Sequence, residues 1–213
     1  MKPGIFLDRD GVINANRADH VKSWEEFEFL PGAVDALRRL ARLDRPIIVV
    51  TNQAVIGRGQ VPAETVDDIH ARMRAAVRRA GGRVDDILVC SHRPEDHCAC
   101  RKPMPGLIFQ AAERWGLDLG RSVMVGDALT DVMAARAAGC APILVKTGRG
   151  EKQLAQLDAA AFEHLPVLAN LGEAADLIER ETIYGSGHAV HRAEPILPGR
   201  YDAHFASAYA KAG

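Results

Sequence analysis

Short apolar runs alternate with amphipathic stretches from the first residues onward. Gly4-Ile5-Phe6-Leu7, Ile47-Ile48-Val49-Val50, Ile87-Leu88-Val89, Val123-Met124-Val125 and Ile143-Leu144-Val145 show no polar alternation, which is the pattern of strands buried on both faces. Between them, residues 33–43, 64–80, 107–115 and 129–138 place apolar positions at helical spacing. Strands and helices in this order predict a doubly wound, mostly parallel α/β sheet whose helices form the crossovers. Beyond Glu151 the pattern weakens, with residues 166–168 expected as one more edge strand and 171–180 as one more helix. One domain is therefore expected over residues 1–180. Residues 181–213, rich in Gly, Pro, His and Tyr without a defensible period, are expected as an irregular tail.

In doubly wound sheets ligands sit at the carboxyl ends of the strands, so the residues that follow each apolar run carry the chemical information. The first run ends in Asp8-Arg9-Asp10-Gly11, two carboxylates two residues apart followed by a glycine that permits a tight turn. Carboxylates this close repel, and the simplest compensation is a hard divalent cation such as magnesium, which takes oxygen ligands and can also hold a phosphate. The second run ends in Thr51-Asn52-Gln53, a hydroxyl and two amides suited to phosphate oxygens. Val123-Met124-Val125 leads into Gly126-Asp127, with Asp131 one helical turn further on, and Lys102 sits in the loop Cys100-Arg101-Lys102-Pro103, where its charge would offset a phosphoryl group. Each feature alone is ordinary turn or cap material. Together they converge on one electrostatic task.

A second cluster precedes Lys102. Cys90-Ser91-His92, five further residues and Cys98-Ala99-Cys100 bring three thiols and an imidazole into one short segment, a donor set that suits a closed, structural, tetrahedral zinc site. His97 competes with His92 for the fourth position, and Cys90, at the end of an apolar run, also suits a buried core thiol. Cys140, after Gly139, reads as a buried small hydrophobe.

The ordered set Asp8-x-Asp10-Gly11, Thr51-Asn52-Gln53, Lys102 and Gly126-Asp127-x-x-x-Asp131 resembles the four motifs of the haloacid dehalogenase superfamily of phosphatases over roughly residues 4–150. The resemblance implies Asp8 as the nucleophile, Asp10 as the general acid and base, and Thr51 with Lys102 on the transferring phosphoryl group. It further implies magnesium on Asp8, Asp127 and the Asp10 backbone carbonyl, with Asp131 supporting the site from behind. The C-x-H and C-x-C loop leading into Arg101-Lys102-Pro103 is similar to the branch of that superfamily that holds histidinol-phosphate and heptose-bisphosphate phosphatases, which strengthens the zinc assignment to Cys90, His92, Cys98 and Cys100.

Within that branch, residues 51–59 and Cys100-Arg101-Lys102-Pro103-x-Pro105-Gly106 look most like the heptose-bisphosphate phosphatases of cell-surface glycan synthesis. This implies a sugar bisphosphate substrate, recognition by Arg101, and a sugar covered by Asn16, Arg17 and Asp19. Histidinol phosphate is the rival substrate. Ala128 departs from the family pattern, which often has a lysine directly after the fourth-motif aspartate.

Composition narrows the reading further. Lys and Arg total 27 against 28 Asp and Glu, so nothing favours nucleic acid or an anionic membrane as partner. No apolar stretch approaches the length of a membrane span, and the chain enters its first chemical strand almost at once; a cytoplasmic protein, monomeric or a small homo-oligomer, is expected. A phospho-accepting signalling receiver also clusters aspartates with a threonine and a lysine on such a sheet. It would need its acceptor on a later strand.

Overall fold

The computed structural model describes residues 1–155 and 164–184. In chain order the elements are β1 (Ile5–Leu7), α1 (Ala33–Leu40), β2 (Ile47–Asn52), α2 (Ala54–Gly57), α3 (Ala63–Arg79), β3 (Asp86–Cys90), α4 (Gly106–Trp115), β4 (Val123–Gly126), α5 (Leu129–Ala138), β5 (Ala141–Val145), α6 (Gly150–Leu154), β6 (Val167–Leu168) and α7 (Leu171–Tyr184). The strands form one sheet in the order β3-β2-β1-β4-β5-β6, and every adjacent pair runs parallel. This is the expected doubly wound architecture.

Strand alternation divides the core in two. Ile5, Leu7, Ile47, Val49, Val123 and Val125 face α1, α3 and α7, where Leu37, Leu40, Ile69, Met73, Val77 and Ile178 pack on them. Phe6, Ile48, Val50 and Met124 face the opposite layer, built from Leu107, Ile108 and Ala111 of α4 and Ala134, Ala135 and Ala138 of α5. With both faces covered, the strand interiors have no polar positions to spare, which is why their sequences read as continuous apolar runs.

The chain leaves β1 toward β2 and β3, then returns across β1 to build β4, β5 and β6 on the other side. The switch therefore lies between β1 and β4, where Leu7 sits beside Val125 and the Asp8 amide donates to the Val125 carbonyl at 2.9 Å. Topology alone makes the carboxyl ends of these two strands face one another across a crevice.

The long β1–α1 connection folds back over that crevice. Asn14 bridges to Phe29, Trp24 stacks on Phe27 at 5.1 Å, and Phe27 meets Phe29 edge-on at 5.0 Å, so an aromatic cluster pins the loop that carries Asn16 and Arg17. At the other end α7 runs on to Tyr184, past its expected end at Arg180. The extension has tertiary causes: Arg39 of α1 pairs with Asp176 at 2.5 Å and with Glu179, and Arg45 donates to Thr182 Oγ1 at 3.2 Å. The remainder of the expected tail lies outside the described residues. Among the described residues no helix is long and apolar enough to cross a membrane.

Candidate active site and metal centre

The ends of β1 and β4 deliver Asp8 and Asp127, and the first turn of α5 delivers Asp131; carboxylate oxygens of the three lie within 4.8 Å of one another. Lys102 is the buried cation among them, its Nζ 2.8 Å from Asp8 Oδ1 and 2.6 Å from Asp131 Oδ1. Burial lifts the Asp8 carboxyl to about 6, the Lys102 charge pulling it down while Asp131 and Asp10 push it up. Asp127 rises to about 8, first through burial and then through the charges of Asp8 and Asp131. Lys102 moves the other way from what burial dictates, because the two carboxylates hold its proton.

One ammonium facing three buried carboxylates leaves negative charge over, and the donor set tests well for a hard cation. Asp127 Oδ1 is buried with no hydrogen-bond partner among the described residues, while Oδ2 accepts the Arg149 amide at 2.8 Å. A divalent ion would satisfy the orphaned oxygen and keep the carboxylates ionised. The backbone also reserves room here. Gly11 has φ +84°, and a Cβ on it would fall inside contact distance of Asp127 Oδ2, as would one on Gly148.

Asp10 points its carboxylate elsewhere. Arg9 NH2 donates to both of its oxygens at 2.9 Å, Asn14 Nδ2 to Oδ1 at 2.9 Å and Gln53 Nε2 to Oδ2 at 2.8 Å. Burial by itself would raise this carboxyl, but the Arg9 charge and these donors together hold it below the ordinary carboxylate range. Asp10 therefore adds no side-chain oxygen to the three-carboxylate group, and its expected contribution to a metal is confined to the backbone carbonyl.

Thr51 and Asn52 end β2. Thr51 is buried and its Oγ1 accepts from Gln53 Nε2 at 2.9 Å. Asn52 was expected to receive phosphate oxygens, yet its amide forms a two-bond clamp on the Lys102 backbone, Nδ2 to the carbonyl at 3.0 Å and Oδ1 from the amide N–H at 3.1 Å. Gln53 likewise serves Asp10 and Thr51 rather than the open cavity.

A cavity of about 300 Å³ opens above these groups, lined by Asp8, Asp10, Thr51, Asn52, Lys102 and Asp131 at its chemical end and by Asn16, Arg17, Arg58, Arg101 and Arg149 around them. Ala128 also lines it, at the position where a lysine was expected. Of the loop residues expected to cover a substrate, Asn16 and Arg17 line the cavity. Asp19 does not; it pairs with Arg17 at 3.3 Å and with Lys22 on the exposed face.

The thiol cluster assembles as its spacing implied. Sγ–Sγ separations among Cys90, Cys98 and Cys100 are 3.6, 3.3 and 3.3 Å, and His92 Nδ1 lies 3.6 Å from Cys90 Sγ and 3.3 Å from Cys100 Sγ. Zinc–sulfur bonds of about 2.3 Å give a tetrahedron with edges of about 3.8 Å, so the four donors stand close to the spacing a closed site needs. His97 sits in a left-handed turn, φ 44°, outside this group, and His92 is the imidazole gathered with the three thiols. Cys140 is fully buried in the core, as expected. The cluster adjoins the active site directly: Arg101 NH1 donates to the His92 carbonyl at 3.2 Å.

Sequence reasoning missed Arg9, Asn14, His70, Arg58 and Arg149. A signal existed for the first: position 9 continues the phase of Ile5 and Leu7, so its side chain had to enter the α1–α3 layer. His70 stands in the apolar stripe Val66, Ile69, Met73, Val77 of α3, a lone polar residue on a buried face.

A HAD-hydrolase-like family model matches residues 99–174. The chain is 47% identical over 152 residues to the D-glycero-beta-D-manno-heptose-1,7-bisphosphate 7-phosphatase of Bordetella bronchiseptica, covering 71% of this chain and 85% of that protein. It is 40% identical over 177 residues to the enzyme of the same name from Neisseria meningitidis, covering 83% and 95%. Among solved structures it is similar to the D,D-heptose 1,7-bisphosphate phosphatase of B. bronchiseptica complexed with magnesium and phosphate, with TM-score 0.80 and 43% identity over 85% of this chain and 99% of that one. The Burkholderia thailandensis enzyme of that name matches with TM-score 0.65 and 35% identity, over 83% and 99%.

Proposed function

The chain belongs to the haloacid dehalogenase-like phosphatases, and we propose that it removes the 7-phosphate of D-glycero-β-D-manno-heptose 1,7-bisphosphate, in the synthesis of precursors for cell-surface glycans, through a phosphate ester of Asp8. The observation that carries the chemistry is the meeting of Asp8, Lys102 and Asp127 across the β1–β4 crevice, with Asp10 beside them under separate control. The relatives at 40–47% identity support the substrate.

Asp8 attacks phosphorus in line, its carboxylate oxygen forming the new bond as the bond to the C7 oxygen breaks. Lys102 and Thr51 hold the equatorial oxygens as charge spreads over them. Asp10 gives its proton to the departing C7 oxygen, then takes one from the water that releases phosphate from Asp8. In the free protein Arg9 favours the ionised form of Asp10. The incoming phosphate brings negative charge against that carboxylate, which raises its proton affinity at the moment the acid is needed. Magnesium, held by Asp8, Asp127 and the Asp10 carbonyl, would neutralise phosphoryl charge at this site.

Arg17, Arg58, Arg101 and Arg149 around the cavity suit a substrate with a second anionic group. They oppose histidinol phosphate, whose ammonium would meet cations at the mouth. Arg149, fixed by its amide on Asp127, supplies the positive charge that Ala128 does not. Zinc on Cys90, His92, Cys98 and Cys100 staples the loop that delivers Arg101 and Lys102.

Phosphate release with magnesium, measured side by side on the heptose bisphosphate and on histidinol phosphate, tests the substrate. A strong preference for the bisphosphate is expected. Preference for histidinol phosphate would overturn the substrate and keep the chemistry, whereas release from neither would overturn both the bisphosphate and the role of the arginine rim.

A further inference from the structure

Arg9 is the largest fully buried side chain among the described residues. A guanidinium in that position is costly unless every charge and donor has a defined place. Its NH2 donates to both oxygens of Asp10 at 2.9 Å, and its NH1 lies 3.0 Å from Nε2 of His70, which is itself buried on α3. Arginine has no acceptor and stays charged, so the contact works only with His70 neutral and Nε2 unprotonated. The same surroundings forbid a charged imidazole: burial, then the Arg9 charge, drives His70 down to about 3. His70 is thus a permanent neutral acceptor under the guanidinium.

We propose that His70 is a positioning residue for acid–base catalysis: by fixing the outer end of Arg9 it sets the angle at which the guanidinium grips Asp10, and so the direction in which Asp10 meets the leaving oxygen. This rests on the reading of Asp10 as general acid. The arrangement runs from α3 to the end of β1, with Arg9 joining His70 on one side to Asp10 on the other. Without the imidazole, Arg9 NH1 loses its acceptor and the guanidinium can rotate. Asp10 then keeps its charge partner and its Asn14 and Gln53 donors, but the guanidinium no longer fixes the angle of its carboxylate.

The test exploits leaving-group chemistry. An alkyl phosphate needs a proton on the departing oxygen, whereas p-nitrophenyl phosphate departs as a stable phenolate and does not. The comparison is made on the first, phosphorylating step, read as leaving-group release in a single turnover with excess enzyme, because Asp10 acts as base in the second step whichever group has left. The His70→Phe variant, with its thermal midpoint measured alongside, is expected to lose about tenfold or more in that first-step rate on the sugar bisphosphate, with the half-saturating concentration changed by less than about twofold. On p-nitrophenyl phosphate the same variant is expected to lose less than about threefold. His70→Gln, whose Oε1 can reach the place of Nε2 as an acceptor, is expected to restore most of the alkyl activity. Asp10→Asn is the control for the underlying reading, and it too should discriminate between the substrates. Equal losses on both substrates in His70→Phe, or no rescue by His70→Gln, while Asp10→Asn discriminates, would overturn the positioning role alone. Failure of Asp10→Asn to discriminate in that first step would overturn the general-acid reading and this inference with it.

Discussion

Replacing Lys102 with methionine removes the ammonium that pairs with Asp8 and Asp131 while keeping most of the side-chain volume. In the native protein Nζ stands 2.8 Å from Asp8 and 2.6 Å from Asp131, with the side chains of Lys102 and Asp131 each 2% exposed. At an effective dielectric near 20 each pair represents a gross attraction of about 6 kcal/mol, much of it offset by desolvation. Removing one partner of such a buried pair leaves the others uncompensated, and a loss of about 3–5 kcal/mol is expected, or about 10 °C in thermal midpoint. The sign of the pH dependence follows from the orphaned Asp8 carboxyl. Already raised to about 6, its folded pKa moves further above the unfolded value once the Lys102 charge is gone, so the native state binds more protons than the unfolded one. The deficit is then greatest near pH 8 and shrinks toward pH 5 as that carboxyl protonates. Magnesium should restore part of the stability. It should not restore the rate, expected about 10²–10³-fold below wild type, because the phosphoryl oxygens have lost a fixed positive partner. Differential scanning fluorimetry with and without magnesium, alongside phosphate release, reads all of this; an unchanged midpoint with an unchanged rate would refute the reasoning.

Gly11→Ala combines a left-handed backbone, φ +84°, with a Cβ that collides with Asp127 Oδ2; magnesium affinity by titration calorimetry should fall by about tenfold or more. Magnesium binding to the wild type should tighten from pH 6 to about pH 8 and level off above it, because Asp127, raised to about 8, must release its proton to bind; pH-independent affinity over that range would contradict the assignment. Elemental analysis is expected to give about one zinc per chain, lost in Cys98→Ser together with thermal stability, and full stability with no zinc in the wild type would remove the staple from the account.

The sheet was legible because its strands are buried on both faces, which leaves uninterrupted apolar runs at Ile5, Ile47, Val123 and Ile143. Asp8 and Asp127 were legible because strand ends concentrate chemistry at one edge of such a sheet, and Lys102 because its loop leads from the thiol cluster into α4. For Asn52 and Gln53 the sequence could not show the inward partners of their amides, the Lys102 backbone and Asp10, because these lie 50 and 43 residues away in the chain and only the folded crossovers bring them within reach. His70 is harder still, since its partner Arg9 is 61 residues distant and a histidine in a helical apolar stripe resembles any satisfied core residue. The end of α7 was misjudged for the same reason: Arg39 and Arg45 hold it, and neither is nearby in sequence.

Under the proposed mechanism, turnover passes through a covalent phosphate ester of Asp8. Wild-type protein quenched in acid during turnover of the heptose bisphosphate, then digested and weighed by mass spectrometry, should carry a phosphoryl group on the peptide containing Asp8, and Asp8→Asn protein should carry none and release no phosphate. Phosphate release surviving in the Asp8→Asn protein would contradict it.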